Sequence, residues 1–201
     1  MKRPTFCFEK KYIDQGFTVI AGADEVGAGS LAGPVVAAAV VLPLDSRLGD
    51  INDSKLLSEK RREDLFDQIL LKASAYGVGE ASHKEVDLIN VRQASLLAMR
   101  RALEHIEGLE VALIDAWKIP ELDCKQESII RGDQLVKSIA AASIIAKVTR
   151  DRMMLKIAQE YTEYEFNRHK GYGTALHRSQ IEKHGPCPIH RMSYKIFEKY
   201  R

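Results

Sequence analysis

The sequence predicts one α/β domain, and three observations predict it. The chain has 201 residues, enough to bury a core, and its 45% hydrophobic and 29% charged residues are typical of a globular protein. Short valine- and alanine-rich runs alternate with longer stretches in which apolar residues recur at helical spacing. No repeat, low-complexity tract or linker divides the chain, so we expect a single domain over residues 1–201 with a helical carboxyl-terminal region from about 152.

Two apolar runs near the amino terminus predict the first pair of strands. Residues 18–23 are β-prone and are followed by two acids. Residues 35–42 are rich in valine and alanine and lie between Pro34 and Pro43. Their length favours a buried strand over a helix.

The middle of the chain predicts a helix, a strand and a second helix. A polar turn at 52–55 precedes a helix that begins near Ser58, and residues 74–80 indicate a strand. Ser82 and Glu85 have the spacing of a capping box, which is typical of a helix start. The helix that follows is expected to bury the face formed by Leu96, Met99, Leu103 and Ile106.

The second half of the chain predicts one strand and several helices. Residues 111–114 form an apolar run that ends at Asp115, and a loop extends from there to residue 132. The clearest helix follows, with an apolar stripe made of Leu135, Ile139, Ala142, Ala146, Met153 and Ile157. Two shorter helical segments are expected at 175–183 and 191–200.

Charge is distributed unevenly along the chain. The net charge is +2, yet residues 131–201 contain 14 Lys and Arg against 7 Asp and Glu, whereas the first 130 residues contain 16 against 21. The basic last third favours a polyanion-binding face opposite an acidic site. A solvated basic surface is the alternative that charge alone leaves open.

The sequence contains no feature that indicates a membrane or an oxidising compartment. The longest apolar run, at 35–42, is far too short to span a bilayer, and the amino terminus alternates charged and aromatic residues where a secretory signal is apolar. The cysteines, Cys7, Cys124 and Cys187, form no C-x-x-C pair. We therefore expect a cytoplasmic protein with incidental thiols and no membrane partner.

Four acids stand where predicted elements begin or end: Asp24, Glu25, Asp115 and Asp133. Because functional groups gather at the carboxyl ends of strands in an α/β sheet, we expect these acids to converge. Clustered carboxylates repel one another unless cations neutralise them, and magnesium is typically held by few carboxylates plus a substrate phosphate. Taken singly, each acid has a structural alternative, and for Asp133 it is the N-cap of the long helix.

A glycine turn follows the first pair of acids. Gly27, Ala28 and Gly29 begin a match to the dinucleotide-binding pattern G-x-G-x-x-G/A that runs to Ala32, so a nucleotide-cofactor oxidoreductase is a second hypothesis. That turn must open into a helix that receives the pyrophosphate, whereas Pro34 and the run after it predict a strand. A glycine turn beside metal-binding acids also lets the backbone approach a sugar closely.

Several blocks of the sequence resemble the motifs of bacterial ribonuclease HII and occur in the order of that family. They are DEVGAGSLAGPV at 24–35, NDSK at 52–55, the helix at 90–101, LID at 113–115, GD at 132–133, SIAAASIIAKVTRD at 138–151, HKGYGT at 169–174 and GPCPIHR at 185–191. The blocks extend over nearly the whole chain. Such a match is far more specific than any one motif.

The resemblance implies a ribonuclease H-like fold, in which helices flank a mixed five-stranded sheet and a helical carboxyl-terminal part follows. It implies an endonuclease that hydrolyses the RNA strand of RNA/DNA hybrids and nicks duplex DNA at embedded ribonucleotides, serving ribonucleotide excision or primer removal. The implied cofactors are two Mg²⁺ or Mn²⁺ ions per active site, and their hydrolysis gives 5′-phosphate and 3′-hydroxyl ends. A monomer is expected, and a replication clamp is an open candidate partner.

The same resemblance implies roles for individual residues. The catalytic residues are Asp24, Glu25, Asp115 and Asp133, of which the first three hold the metal ions. The substrate-binding residues are Gly27, Ala28, Gly29, Lys55, Ser143, Lys147, Arg150 and Tyr172. The glycine-turn backbone meets the ribose 2′-hydroxyl, Tyr172 packs at the RNA–DNA junction, and the helix at 143–150 follows a phosphate backbone unless its cations are merely solvated.

Two segments depart from the family pattern. The turn normally reads Gly-Arg-Gly, and Ala28 takes the place of the arginine. Residues 116–118, Ala-Trp-Lys, replace a small-and-amide pair. Type III ribonuclease H also lacks the arginine but has an added amino-terminal domain, for which we expect too few residues here. The carboxyl-terminal histidines show no metal-ligand spacing and are assigned no catalytic role: His169, His177, His184 and His190.

Overall fold

A five-stranded mixed sheet with helices on both faces forms the centre of the molecule. The computed structural model describes residues 3–49, 51, 54 and 57–201. The strands are β1 (Ile20–Val26), β2 (Val35–Val41), β3 (Ala75–Ala81), β4 (Val111–Asp115) and β5 (Lys125–Ile129). The helices are α1 (Cys7–Ile13), α2 (Glu59–Lys72), α3 (His83–Glu104), α4 (Gly132–Leu135), α5 (Lys137–Glu160), α6 (Phe166–His169) and α7 (Ala175–His184), with 3₁₀ helices at Thr162–Tyr164 and Lys195–Tyr200.

The strand order β3-β2-β1-β4-β5 places β1 at the centre of the sheet and confirms the predicted fold class. β2 runs antiparallel to β1 and β3, whereas β4 runs parallel to β1 and β5. The pairing of β1 with β4 aligns Ala23 with Ile114, so both strands end at the same edge of the sheet. The predicted acids follow at that edge.

Small residues let helices pack closely on both faces. β2 is buried at every position, with Ala37 packed in the α3 layer and Ala38 packed in the layer of α2 and α5. A Cβ added at Gly22 of β1 would lie 2.3 Å from the backbone nitrogen of Ile139. Helix α5 therefore lies directly against the central strand, and its first turn occupies the space that a side chain at residue 22 would need.

Helix α3 begins at the predicted capping box and contains a kink. Glu85 N–H donates to Ser82 Oγ at 3.2 Å, and Ser82 N–H donates to Glu85 Oε2 at 2.8 Å. Asn90 has a φ of 66°, and its Oδ1 accepts from the N–H groups of Arg92 at 3.0 Å and Gln93 at 3.2 Å. Asn90 thus caps a second helical segment inside α3. The predicted buried face is confirmed at Leu96, Met99, Leu103 and Ile106.

Among the described residues before the carboxyl-terminal helical region, two elements are not predicted by the sequence pattern. One is α1, and the other is β5, which lies in the segment expected as a loop. β5 is a polar edge strand, and of its five residues only Ile129 is buried. It therefore lacks the apolar alternation from which a strand is predicted. Among the described helices, none is long and apolar enough to cross a bilayer.

The long helix begins later than predicted. Val136 is extended, with φ −115° and ψ 125°, and separates the short α4 from α5. Leu135 is consequently 40% exposed in α4, and Met154 is buried while Met153 is not. The predicted apolar stripe is therefore wrong at Leu135 and Met153.

The carboxyl-terminal region is helical, as predicted, and packs around aromatic and histidine rings. His169 stacks on His177 with ring centroids 4.3 Å apart, and His177 Nε2 lies 3.1 Å from His190 Nε2. Burial lowers the pKa of His177 and of His190 to about 4. These histidines are neutral core residues at neutral pH.

Candidate active site

Two neighbouring strands bring acids to one edge of the sheet. Asp24 and Glu25 lie near the end of β1, and Asp115 ends β4. Because Ala23 pairs with Ile114 in parallel register, Asp24 and Asp115 occupy the next position of adjacent strands and lie side by side. The fold therefore brings together acids that are remote in the sequence.

Asp133 approaches this edge through α4. Arg131 precedes α4 in a left-handed conformation with φ 58°, and Gly132 N–H donates to Asp115 Oδ1 at 2.7 Å. Asp133 lies inside α4 and is 9% exposed. Its alternative role as a helix N-cap is wrong, because Arg131 and Val136 are the N-cap residues of α4 and α5.

The Asp24 carboxyl lies in an unfavourable place for a negative charge. Burial raises the pKa of Asp24 well above its usual range, and the charges of Glu25 and Asp115 raise it further. Hydrogen bonds oppose this shift, since Ser143 bonds the carboxylate and Glu25 N–H donates to Asp24 Oδ1 at 2.8 Å. Such a position favours the binding of a cation.

The donor groups at this edge fit a hard divalent cation. They are carboxylate oxygens, which are the protein ligands that magnesium and manganese prefer. Among the described residues, no three or more His, Cys, Asp or Glu side chains lie together in a way that could hold a metal ion by themselves. An open set that water and a substrate phosphate complete fits this arrangement better than a closed structural site.

The glycine turn leads from β1 into β2. Gly27 has a φ of 96°, and a Cβ there would lie 2.1 Å from Arg150 Nε, so the position requires glycine. The chain then enters β2, which pairs antiparallel with β1. A dinucleotide-binding turn opens into a helix and a parallel crossover. The oxidoreductase hypothesis is therefore wrong.

Arg191 holds this turn from beneath. It is fully buried, and its guanidinium donates to the carbonyl oxygens of Gly27 at 2.8 Å, Ala28 at 3.0 Å and Gly33 at 3.0 Å. Burial lowers the pKa of Arg191. The sequence predicts no role for this residue, and its position in the block at 185–191 is the one signal that marks it.

Arg150 is held in the same way. It is 0% exposed, and its guanidinium donates at 2.9 Å to each of Pro34 O, Lys170 O and Ser30 Oγ. Burial lowers its pKa to about 10. The surface position expected from its spacing with Lys147 is wrong, because the glycine turn and the Lys170 segment enclose the guanidinium.

A pocket of about 460 Å³ opens beside the turn. Its lining includes the predicted residues Glu25, Gly27, Ala28, Gly29, Lys147 and Tyr172. Lys147 Nζ lies 2.7 Å from Asp151 Oδ1 and 5.6 Å from the centroid of the Tyr172 ring. Predicted residues from three parts of the chain thus share one cavity.

Arg62 of α2 also lines this pocket and is not predicted by the sequence. Its Nη1 donates to Ser54 O at 3.1 Å and to Leu57 O at 2.5 Å, and its Nη2 lies 4.0 Å from Asp151 Oδ2. No sequence signal marks it, because charged residues throughout α2 are typical of a solvated helix.

Two other predicted residues differ in how they relate to the pocket. Ser143 is 3% exposed, and its hydroxyl lies 3.0 Å from Ser54 Oγ as well as bonding Asp24. Ser143 therefore contacts Asp24 from the interior of the protein. Lys55, together with most of the polar turn at 52–55, lies outside the described residues.

Known proteins share this sequence pattern and fold. A family model described as Ribonuclease HII matches residues 21–197. A ribonuclease HII from Syntrophotalea carbinolica is 50% identical over 194 residues, which are 96% of this chain and 93% of that protein. The ribonuclease H2 structure from Pyrococcus horikoshii OT3 has 27% identity and a TM-score of 0.74, covering 90% of this chain and 95% of that one. A chain in the structure of the PCNA:RNase HII complex from Archaeoglobus fulgidus has 25% identity and a TM-score of 0.75, covering 91% and 97%.

Proposed function

The chain belongs to the ribonuclease HII family, and on that premise we propose that the acidic edge of its sheet cuts duplexes at ribonucleotides. The protein is a ribonuclease H, an endonuclease that acts on RNA/DNA hybrids and depends on divalent metal ions. The proposal adds that it nicks duplex DNA at embedded ribonucleotides, leaves 5′-phosphate and 3′-hydroxyl ends, and serves ribonucleotide excision.

The observation that carries the proposal is the adjacency of Asp24 and Asp115 beside the glycine turn. Parallel strands place both carboxyl groups at one edge, where burial and like charge disfavour the ionised form of Asp24. A cation relieves that repulsion. The pocket of about 460 Å³ beside the turn is lined by Glu25, the neighbour of Asp24, and gives a phosphodiester access to that acid.

We assign the metal ions to Asp24, Glu25 and Asp115, with Asp133 completing the catalytic set. When bound, two Mg²⁺ or Mn²⁺ ions supply Lewis-acid stabilisation of the phosphate charge and lower the pKa of water. The chain supplies orientation. β1 and β4 fix Asp24 and Asp115, and the Gly132 N–H fixes one oxygen of Asp115.

The backbone of Gly27, Ala28 and Gly29 is proposed to recognise the ribose 2′-hydroxyl. Arg191 engages the carbonyl groups of Gly27 and Ala28, so the orientation of the turn is fixed before a substrate binds. A turn held in this way presents the same backbone groups to every nucleotide, which suits the recognition of one hydroxyl group.

The remaining predicted residues divide by position. Lys147 and Tyr172 line the pocket, and we assign Lys147 to a substrate phosphate and Tyr172 to packing at the junction. Ser143 and Arg150 are buried and are proposed to act on the substrate through Asp24 and through the turn. Lys55 remains a proposed phosphate contact.

Partners and location complete the proposal. We propose that residues 1–201 act as one catalytic domain and as a monomer in the cytoplasm, where nucleic-acid hybrids are the substrate. The Archaeoglobus fulgidus relative is found in a complex with PCNA. A sliding clamp is therefore the first protein partner to test, by gel filtration of the chain with and without the clamp.

The function is tested with three duplexes that differ at one strand: an RNA/DNA hybrid, a DNA duplex with one ribonucleotide, and an all-DNA duplex. With magnesium or manganese, the first two are expected to be cut and the third to stay intact. Asp115→Asn is expected to bind the one-ribonucleotide duplex and not cut it. Asp45→Asn, an exposed change near the opposite edge of the sheet, is the matched control and is expected to cut normally.

Three results contradict the proposal. They are cleavage of all three duplexes, cleavage of the hybrid without cleavage at the single ribonucleotide, and full activity of Asp115→Asn. Binding of the duplexes by the unaltered protein without any cleavage indicates a catalytically silent nucleic-acid binder.

A further inference from the structure

A second pocket lies on the other side of the glycine turn. Its volume is about 300 Å³, and it shares Glu25 and Ala28 with the first pocket. Val91 and Arg92 of α3 and Trp117, which follows β4, form part of its lining. A nucleic-acid strand that crosses the acids therefore has a cavity on each side of the turn.

Trp117 is the one tryptophan of the chain and is 53% exposed. The guanidinium carbon of Arg92 lies 4.1 Å from the centroid of its ring. A guanidinium stacked on an indole combines an apolar surface for a sugar or base with a donor fork for a phosphate. The core does not need this pair, because both side chains are exposed.

Unusual backbone conformations place both members of the pair. Asn90, with φ 66°, accepts from the N–H of Arg92 and begins the helical segment that carries it. Ala116, with φ 64°, lies between Asp115 and Trp117, and Trp117 N–H donates to Asp115 O at 2.9 Å. A positive φ at a residue other than glycine costs energy, and such residues cluster at functional sites.

We propose that Trp117 and Arg92 form a second substrate contact, on the side of the scissile phosphodiester opposite to Lys147 and Tyr172. Bases inside a duplex are covered by their neighbours, so the indole packs on the sugar of a flanking nucleotide and Arg92 binds the adjoining phosphate. This inference rests on the proposed function and adds how the strand is held. The shared wall of Glu25 and Ala28 makes the contact continuous with the acids.

The test compares Trp117→Ala and Arg92→Ala with the unaltered protein. Each variant is expected to raise KM for the RNA/DNA hybrid about 10-fold with kcat within about 2-fold, since the contact exists before and during the reaction. In metal-free binding, Arg92→Ala is expected to reduce the slope of log K against log salt by about one, as the loss of one phosphate contact requires. Trp117→Ala is expected to weaken binding and leave that slope unchanged, while Trp117→Phe recovers most of the affinity.

The controls make the same chemical changes near the opposite edge of the sheet. Arg47→Ala removes an exposed cation and Leu71→Ala removes an exposed apolar side chain, and both are expected to bind and cut normally. The fluorescence of Trp117 gives a further measurement, since duplex binding is expected to change its emission in the absence of metal.

The inference is overturned if Trp117→Ala and Arg92→Ala bind as tightly as the unaltered protein, or if Arg92→Ala keeps the full salt slope. Failure of the unaltered protein to cut any duplex counts against the proposed function alone, because the metal-free binding data decide the inference separately. The inference is also overturned if the loss of affinity in each variant is fully explained by a lowered melting temperature.

Discussion

The acidic edge of the sheet and the underside of the glycine turn both hold charged side chains away from water, but they balance the charge differently. At the edge, burial and the charges of Glu25 and Asp115 raise the pKa of Asp24. Beneath the turn, Arg150 and Arg191 are fully buried, and their N–H groups donate to carbonyl and hydroxyl oxygens of the protein itself.

The acids at the edge are arranged to bind a ligand, whereas the arginines beneath the turn stabilise the fold. Buried cations satisfied by the backbone fix the conformation of the segment around them. Buried anions that repel one another lower the stability of the fold, and the binding of a metal ion relieves that repulsion. Substitutions in the two regions should therefore affect activity and stability in opposite proportions.

The largest expected effect is on activity, at the acidic edge. Asp24→Asn should lower the cleavage rate of the RNA/DNA hybrid by about 10⁴-fold, roughly 5 kcal/mol in the barrier, because a proposed metal ligand is lost. Its melting temperature should equal or exceed that of the unaltered protein, since a repelled buried charge is removed. Initial rates and calorimetry measure the two effects. A large fall in melting temperature would remove the contrast with the arginines.

The second effect is on stability, beneath the turn. Arg191→Met should lower the free energy of unfolding by about 4 kcal/mol, because the carbonyl groups of Gly27, Ala28 and Gly33 lose their donor. Arg191→Lys should recover only part of it, since an ammonium group lacks the planar fork. Urea unfolding measures the change, with Arg178→Met as an exposed control. Equal stability of Arg191→Met and the control would contradict the assignment.

The buried histidines of the carboxyl-terminal region avoid a buried charge in a third way, because their rings are neutral. The pKa of His177 and of His190 is about 4 in the folded protein and near 6.5 in an unfolded chain. Between these values the unfolded chain binds more protons, so stability is complete above pH 6.5 and falls as the pH falls to 4. The loss should reach about 3 kcal/mol for each histidine.

The measurement for the histidines is urea unfolding at several pH values between 4 and 7. The glutamine of His177→Gln does not titrate, so this variant should show a smaller loss of unfolding free energy than the unaltered protein. His184→Gln, at an exposed position, should show the same loss as the unaltered protein. The same pH dependence in both variants would show that the buried rings do not cause it.

The smallest effect is expected at a surface charge pair. Glu85 accepts from Arg101 at 2.8 Å and from the Ser82 backbone, and these bonds lower its pKa to about 2. Because both side chains are partly exposed, Glu85→Gln should cost only about 1 kcal/mol at pH 7. Glu85 has a lowered pKa, so the difference should shrink as the pH falls from 4.5 towards 2. A loss of unfolding free energy as large as that of Arg191→Met would contradict the view that burial determines how much a charged contact contributes to stability.

Much of the fold was accessible from local pattern. β1, β2 and β4 contain apolar runs, β3 is a short segment before a helix start, and the start of α3 is a capping box, so each can be predicted from a few adjacent residues. β5 is not predicted because an edge strand with one buried residue has no apolar alternation. The break at Val136 depends on how α4 meets Asp115, which is a tertiary contact.

The candidate site divides along the same line. Acids at strand ends and a glycine turn can be read from the sequence, because their neighbours in the chain identify them. The burial of Arg150 and Arg191 cannot, since a charged residue on a helix or in a loop predicts a surface position. The meeting of Arg92 with Trp117 depends on the positive φ values of Asn90 and Ala116, which no apolar pattern encodes.

Gly22 marks a position at which the fold has no room for a side chain. At this residue the central strand touches α5 backbone to backbone, so even one methyl group would push the helix outward. That helix carries Ser143 and Lys147, and its displacement would shift both away from the acids. The position of α5, and with it that of Ser143 and Lys147, therefore depends on the absence of a side chain at residue 22. A glycine at this strand position should mark distant homologues whose loop motifs have faded.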